Sequence, residues 1–161
     1  MTILGSDFSA QVVIPALQML APAGIPYTKT AHDLIMGTCA QESLMGTYLV
    51  QQMGPGIGVG MATPSEVPGI LARLTPAQRV IMQKVAQNGD LTNVTQLVTN
   101  LMLAAMVVRA WYWVEPAALP PDTVAGLWGY YKKFYNTALG AATETQWNTN
   151  WGLTGISLPA A

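Results

Sequence analysis

"TAHDLIMGTCAQESLMG", residues 30–46, holds the pattern on which the fold turns. Thr30 offers a side-chain oxygen that can cap a helix, and Gly46 tolerates the positive φ with which many helices end, so a helix is expected between them. On that helix Leu34, Ile35, Thr38 and Cys39 lie eight, seven, four and three positions before Glu42, which makes one stripe. Glu42 therefore shares the core-facing side, in a chain where charged residues are only 9% of the total. It also falls in the last turn, where backbone carbonyls present partial negative charge. Desolvation and the helix end both favour the neutral acid, and an acid that keeps its proton near neutrality is what a general acid must be. The plainer alternative is a half-buried structural Glu that accepts backbone hydrogen bonds or pairs with a cation.

Outward from this stretch, helical signals dominate. "SDFSAQVVIPALQMLA" reads as a helix with Ser6 or Ser9 as cap and Pro15 in an early turn, followed by the turn-rich connector "APAGIPYTK". From Gly54 to Gly60 every second residue is glycine, and "GPGIGVG" with "MATPSEVPG" reads as an irregular or short-hairpin segment. No Lys-Ser or Lys-Thr follows it, so it is a poor phosphate-binding loop. "TPAQRVIMQKVAQNG" starts with a Thr cap and Pro at the first helical position and stops at Asn88-Gly89. "DLTNVTQLVTNLMLAAMVVRAWYWV" reads as a long central helix, "DTVAGLWGYYKKFYNTALG" as a further one ending at Gly140, and "TETQWNTNW" as a short last one. An apolar tail, about 152–161, is expected to pack on something. The expectation is one mainly α domain over 1–161, of about six or seven helices with one Gly-rich excursion.

The totals exclude several functions. A chain of 161 residues can bury a sizeable core as one domain. Its net charge of −1 and scattered basic residues, apart from Lys132-Lys133, leave no footprint for nucleic acid. Cys39 is the single cysteine and His32 the single histidine, so a metal would need carboxylates, and these do not cluster. In the most apolar stretch, 97–114, Asn100 and Arg109 cut the uninterrupted run to Leu101 through Val108, far short of the roughly 18 residues of a membrane span. The opening residues lack a basic region ahead of their apolar stretch and make a poor secretory signal.

Four features in order carry a resemblance: "AQES" (40–43) at a helix end, a Gly-rich "GVGMATPSE" (58–66), a long apolar helix, and "YYKKFYNT" (130–137). Together they resemble the lysozyme-like superfamily, and within it the phage-encoded lytic transglycosylases with a Glu-Ser signature. The similarity is densest over 33–66, weaker over 98–138, and covers about half of the chain. It implies an all-α lysozyme-like fold whose cleft binds a peptidoglycan glycan strand, with Glu42 as the catalytic acid and neither metal nor cofactor. Ser43 matches the residue that supports the site, Gly58 to Met61 the stretch lining the cleft, and Tyr135-Asn136 the pair facing the sugar. Tyr48 is a further residue for the substrate side. The sequence departs from the family pattern at Met61, which stands where a Gln is usual, and at Gly60, where a larger residue is common. Met61 removes an amide able to bind an N-acetyl group or sugar hydroxyl.

The resemblance also implies a mechanism with one carboxylate, whereas a two-carboxylate glycosidase needs a second acid within about 5 to 10 Å. Asp33, nine residues upstream, lies some two and a half turns away, and Glu66 is left open. The location that goes with this family is a virion, or the bacterial wall after release at lysis. The alternative is a virion structural protein, of tail or capsid, that kept the fold and lost turnover, in contact with other virion proteins or with itself. Among the remaining residues, Trp111, Trp128, Tyr130 and Tyr131 are read as core aromatics more readily than as sugar platforms. His32 is read as a surface or capping residue and Cys39 as a small hydrophobe.

Overall fold

The computed structural model describes residues 3–158 and is mainly α, with seven helices and no strand among those residues. Helix α1 spans 5–20 without a break, as an α-turn Gly5–Phe8, a π-turn Ser9–Val13 and an α-helix Ile14–Leu20. Leu4, not a serine, stands at its N-cap, and Pro15 lies inside it instead of in an early turn. The π-turn explains how: the Ile14 amide reaches back five residues to the Ser9 carbonyl, and the widened turn gives the proline ring room.

Helix α2, Lys29–Ser43, has its cap two residues earlier than expected, because Thr28 and not Thr30 accepts the Ala31 amide, at 3.1 Å. All ten residues from 31 to 40 are buried, so α2 is the axis of the molecule. Gly37 allows its closest crossing. A Cβ there would lie 2.6 Å from both the Trp147 and Trp151 rings of α7, Glu144–Trp151.

The other apolar helix is shorter than the sequence suggests. Residues 94–98 form a 3₁₀ turn, and α5 runs only over Leu101–Trp113, because Asn100 ends one element and caps the next. Its Oδ1 accepts the Leu103 amide at 3.0 Å and its Nδ2 donates to the Val85 carbonyl at 2.8 Å. Two short helices precede it. Val67–Ala72 (α3) begins with Pro68 in its first turn inside the stretch read as irregular. Pro76–Gln83 (α4) starts as expected with a Thr75–Gln78 capping box but stops well before Asn88-Gly89. Helix α6, Val124–Tyr131, is capped by Thr123 and continues as a π-turn, Lys132–Asn136, instead of reaching Gly140 as an α-helix.

His32 corrects a further expectation. It is buried, and its ring joins Ser9 Oγ (2.7 Å from Nε2) to Asp33 Oδ1 (2.6 Å from Nδ1), tying α1 to α2. The order Ser-His-Asp is that of a hydrolytic triad, yet the Ser9 amide is already spent on the carbonyls of Gly5 and Ser6, so the serine brings no oxyanion donor of its own. The relay is a buried polar brace. The apolar tail packs over α1: Thr154 closes against Gly5, and Trp151 Nε1 donates to the Ile156 carbonyl at 3.0 Å, while residues 159–161 of that tail lie outside the described residues. No helix of the described residues is long and apolar enough to cross a membrane.

Candidate active site

The site is built where α2 ends. Leu44, Met45 and Gly46 have φ of 49°, 52° and 77°, three consecutive residues in the left-handed region, of which only glycine is unstrained there. Ser43 holds this reversal: its buried hydroxyl donates to the Cys39 carbonyl (3.0 Å) and accepts the Gly46 amide (2.9 Å). Ser43 lines no part of the groove described below and acts by fixing the turn beside Glu42.

The reversal sends residues 47–62 back across the end of α2. There the chain makes two single-residue antiparallel bridges, Val50 with Ile57 and Ile57 with Ala62, in place of a hairpin with true strands. The alternating glycines of this loop each answer a steric demand. A Cβ at Gly58 (φ 74°) would lie 2.8 Å from the Leu97 carbonyl, and one at Gly60 would lie 2.4 Å from Val108 Cγ2 and 3.0 Å from the Tyr135 hydroxyl. Gly58 is thus a buried turn residue beneath the site, not part of its lining.

Glu42 lines three adjoining hollows. One, of about 250 Å³, is bounded by Tyr48, Val50, Gln51, Gln52 and Met61; a second, of about 170 Å³, by Gln51, Met61, Thr63, Glu66, Trp111, Tyr135 and Asn136. The third, of about 280 Å³, runs toward Gln41, Tyr131, Ala142 and Gln146. Together they form a groove with the carboxyl at its middle. Expected site residues Tyr48, Met61, Tyr135 and Asn136 all border it, whereas Ser43 and Gly58 support it from behind.

Tyr131 Oη donates to Glu42 Oε1 at 2.5 Å. Burial pushes the Glu42 carboxyl up to about 7, and the Tyr131 hydrogen bond pulls only partly the other way. Behind Tyr131 the rings are stacked: its centroid is 4.8 Å from that of Trp147 and 6.1 Å from that of Tyr135. Tyr135 in turn donates to the Gly60 carbonyl at 2.7 Å, so its hydroxyl secures the loop while its ring borders the groove. Asn136 Oδ1 accepts from Lys132 Nζ at 2.7 Å, and Asn136 borders the second and third hollows.

Most of the other lining residues were not legible as such, and three of them bear on the chemistry. Tyr131 reads as core from helical spacing, and it is buried, but its hydroxyl is the one that touches Glu42. Gln51 carries no motif. Glu66, left open in sequence, shares the second hollow with Glu42 because α3 begins directly after it. Comparison of the chain with protein-family models, with curated proteins and with solved structures gives no match.

Proposed function

We propose that the protein cleaves the glycan strand of peptidoglycan as a lytic transglycosylase of the phage type. The observation that carries this reading is Glu42: one carboxyl at the centre of an open groove, with burial holding its proton to about pH 7. The four-part resemblance read from residues 40–43, 58–66, the apolar helix and 130–137 supports it. So does the groove itself, which bulky side chains leave open.

In this reading Glu42 gives its proton to the glycosidic oxygen as the bond from the anomeric carbon breaks, and the bonding pair leaves with that oxygen. The cationic sugar is met by the carboxylate just formed. Glu42 then takes the proton of the sugar's own C6 hydroxyl as its oxygen bonds to the anomeric carbon, which yields a 1,6-anhydro end and restores the acid. Tyr131 positions the carboxyl throughout and steadies its ionised form. A place in the virion or at the wall after lysis goes with the same reading.

Glu66 favours a second reading. A second carboxylate on the same hollow can activate water, which turns the reaction into hydrolysis. Purified sacculi incubated with the protein and with Glu42→Gln, followed by mass analysis, test both. Anhydro-muropeptides from the parent and none from Glu42→Gln support transglycosylation; reducing-end products that vanish in Glu66→Gln support hydrolysis. Silence from the parent rejects cleavage altogether and leaves a virion structural role.

A further inference from the structure

Among the described residues Gln51 is the only one besides Glu42 that borders all three hollows. Its amide is oriented by the loop that follows: the Gly56 amide donates to Gln51 Oε1 at 3.1 Å, and the Gln51 backbone amide donates to the Gly56 carbonyl at 2.9 Å. A backbone N–H can only donate, so the atom that faces it is the oxygen and the NH₂ group turns the other way. Among the described residues Nε2 donates to no protein group. The loop also clears space for this side chain. A Cβ at Gly54 would lie 2.4 Å from Gln51 Oε1 and one at Gly56 2.9 Å from it, so the first two glycines of the alternating run serve Gln51. Two hydroxyls on the groove are committed, that of Tyr131 to Glu42 and that of Tyr135 to the Gly60 carbonyl, and Met61 has no donor to give; Tyr48 and Thr63 each border a single hollow, whereas Gln51 borders all three.

We propose that Gln51 is a specificity-determining residue whose Nε2 donates to the acetamido carbonyl of an N-acetylhexosamine seated beside Glu42, selecting N-acetylated β-1,4-glycans over those with a plain C2 hydroxyl. The proposal rests on the reading of Glu42 as the acid of glycan cleavage. Gln51 is exposed, so its donor faces water until a glycan laid along the groove covers it; a covered donor then discriminates, because a sugar that lacks the acceptor leaves it unpaired.

Gln51 also braces the loop, so the test must separate the two roles. Gln51→Glu keeps an oxygen for the Gly56 amide and loses the donor; Gln51→Met loses both. Binding of the tetramer of β-1,4-N-acetylglucosamine and of the matching glucose tetramer is measured by calorimetry, beside KM and kcat on sacculi. We expect the parent to prefer the N-acetylated tetramer and both variants to bind it about tenfold more weakly, with glucose-tetramer binding unmoved and KM raised more than kcat is lowered. Loss in Gln51→Met alone assigns only the brace and overturns the proposal, as does a parent that cleaves sacculi while both variants keep its KM and its preference; the reading of Glu42 survives either result. A parent that releases nothing from sacculi overturns that reading, and this one with it.

Discussion

Helix α2 carries an acid near each end, Asp33 in its second turn and Glu42 in its last, and the two are driven in opposite directions. Burial raises both. At Asp33 it is outweighed: His32 Nδ1 lies 2.6 Å from Oδ1, Lys29 Nζ donates to Oδ2 at 2.5 Å, and these hydrogen bonds and charges hold the carboxyl below its ordinary value. Lys29 reaches Asp122 as well, at 2.7 Å. Among the described residues Glu42 receives one neutral phenol and no cation, so burial prevails. The difference teaches that an inward-facing carboxylate becomes a proton donor through what is left out around it; the same helix with a lysine beside Glu42 would have made a second brace.

The sharpest way to break the comparison is to exchange the two acids for their amides. Glu42→Gln should lower the rate of muropeptide release by at least about a thousandfold, since it deletes the proton donor while preserving shape. A residual rate within tenfold of the parent would move the chemistry elsewhere. The protein should remain folded, by circular dichroism and thermal melting.

Stability against pH should show the two acids with opposite signs. Glu42 has a folded value raised from 4.5 to about 7, so its contribution is fully present below about pH 4.5 and is lost as pH rises through 7, a change on the order of 3 kcal/mol. Denaturant titrations between pH 4 and 8 should therefore be flatter for Glu42→Gln than for the parent. Asp33 has a lowered folded value, so its contribution is present above its ordinary 3.8 and is lost as pH falls through the folded value. Asp33→Asn should cost about 2 kcal/mol near pH 7, and the deficit should fade in acid. A deficit that stays constant down to pH 2 would mean packing, and not charge, is what Asp33 supplies.

Tyr131→Phe is the mildest change. The hydrogen bond it removes lowers the Glu42 value, so its loss should raise that value further and move the alkaline limb of the pH–rate profile upward, with a severalfold fall in rate. An unmoved limb would separate Tyr131 from the titration of Glu42.

Much of this was legible in residues 30–46. The stripe from Leu34 to Cys39 placed Glu42 on the buried side, and that placement follows from spacing alone. Other features depend on contacts that no local pattern encodes. Helix α5 begins only after Asn100, whose side chain bonds Val85, fifteen residues away. His32 is buried because Ser9, on another helix, meets it, and Pro15 stays inside α1 because a π-turn precedes it. Tyr131 has the spacing of a core aromatic and the burial of one; only its hydroxyl, 89 residues from Glu42 in sequence, marks it otherwise. Gln51 stayed silent for the same reason. Its reach depends on Gly54 and Gly56, whose alternation resembles a generic flexible loop until the side chain they accommodate is seen.

The most direct test is to titrate Glu42 itself, by carbon-detected NMR of the side-chain carboxyl in glutamate-labelled protein, with Glu42→Gln to assign the signal. A midpoint near 7 is expected, moving higher in Tyr131→Phe. A midpoint at the ordinary 4.5 would show a carboxyl in free contact with water and would remove the proton on which cleavage depends.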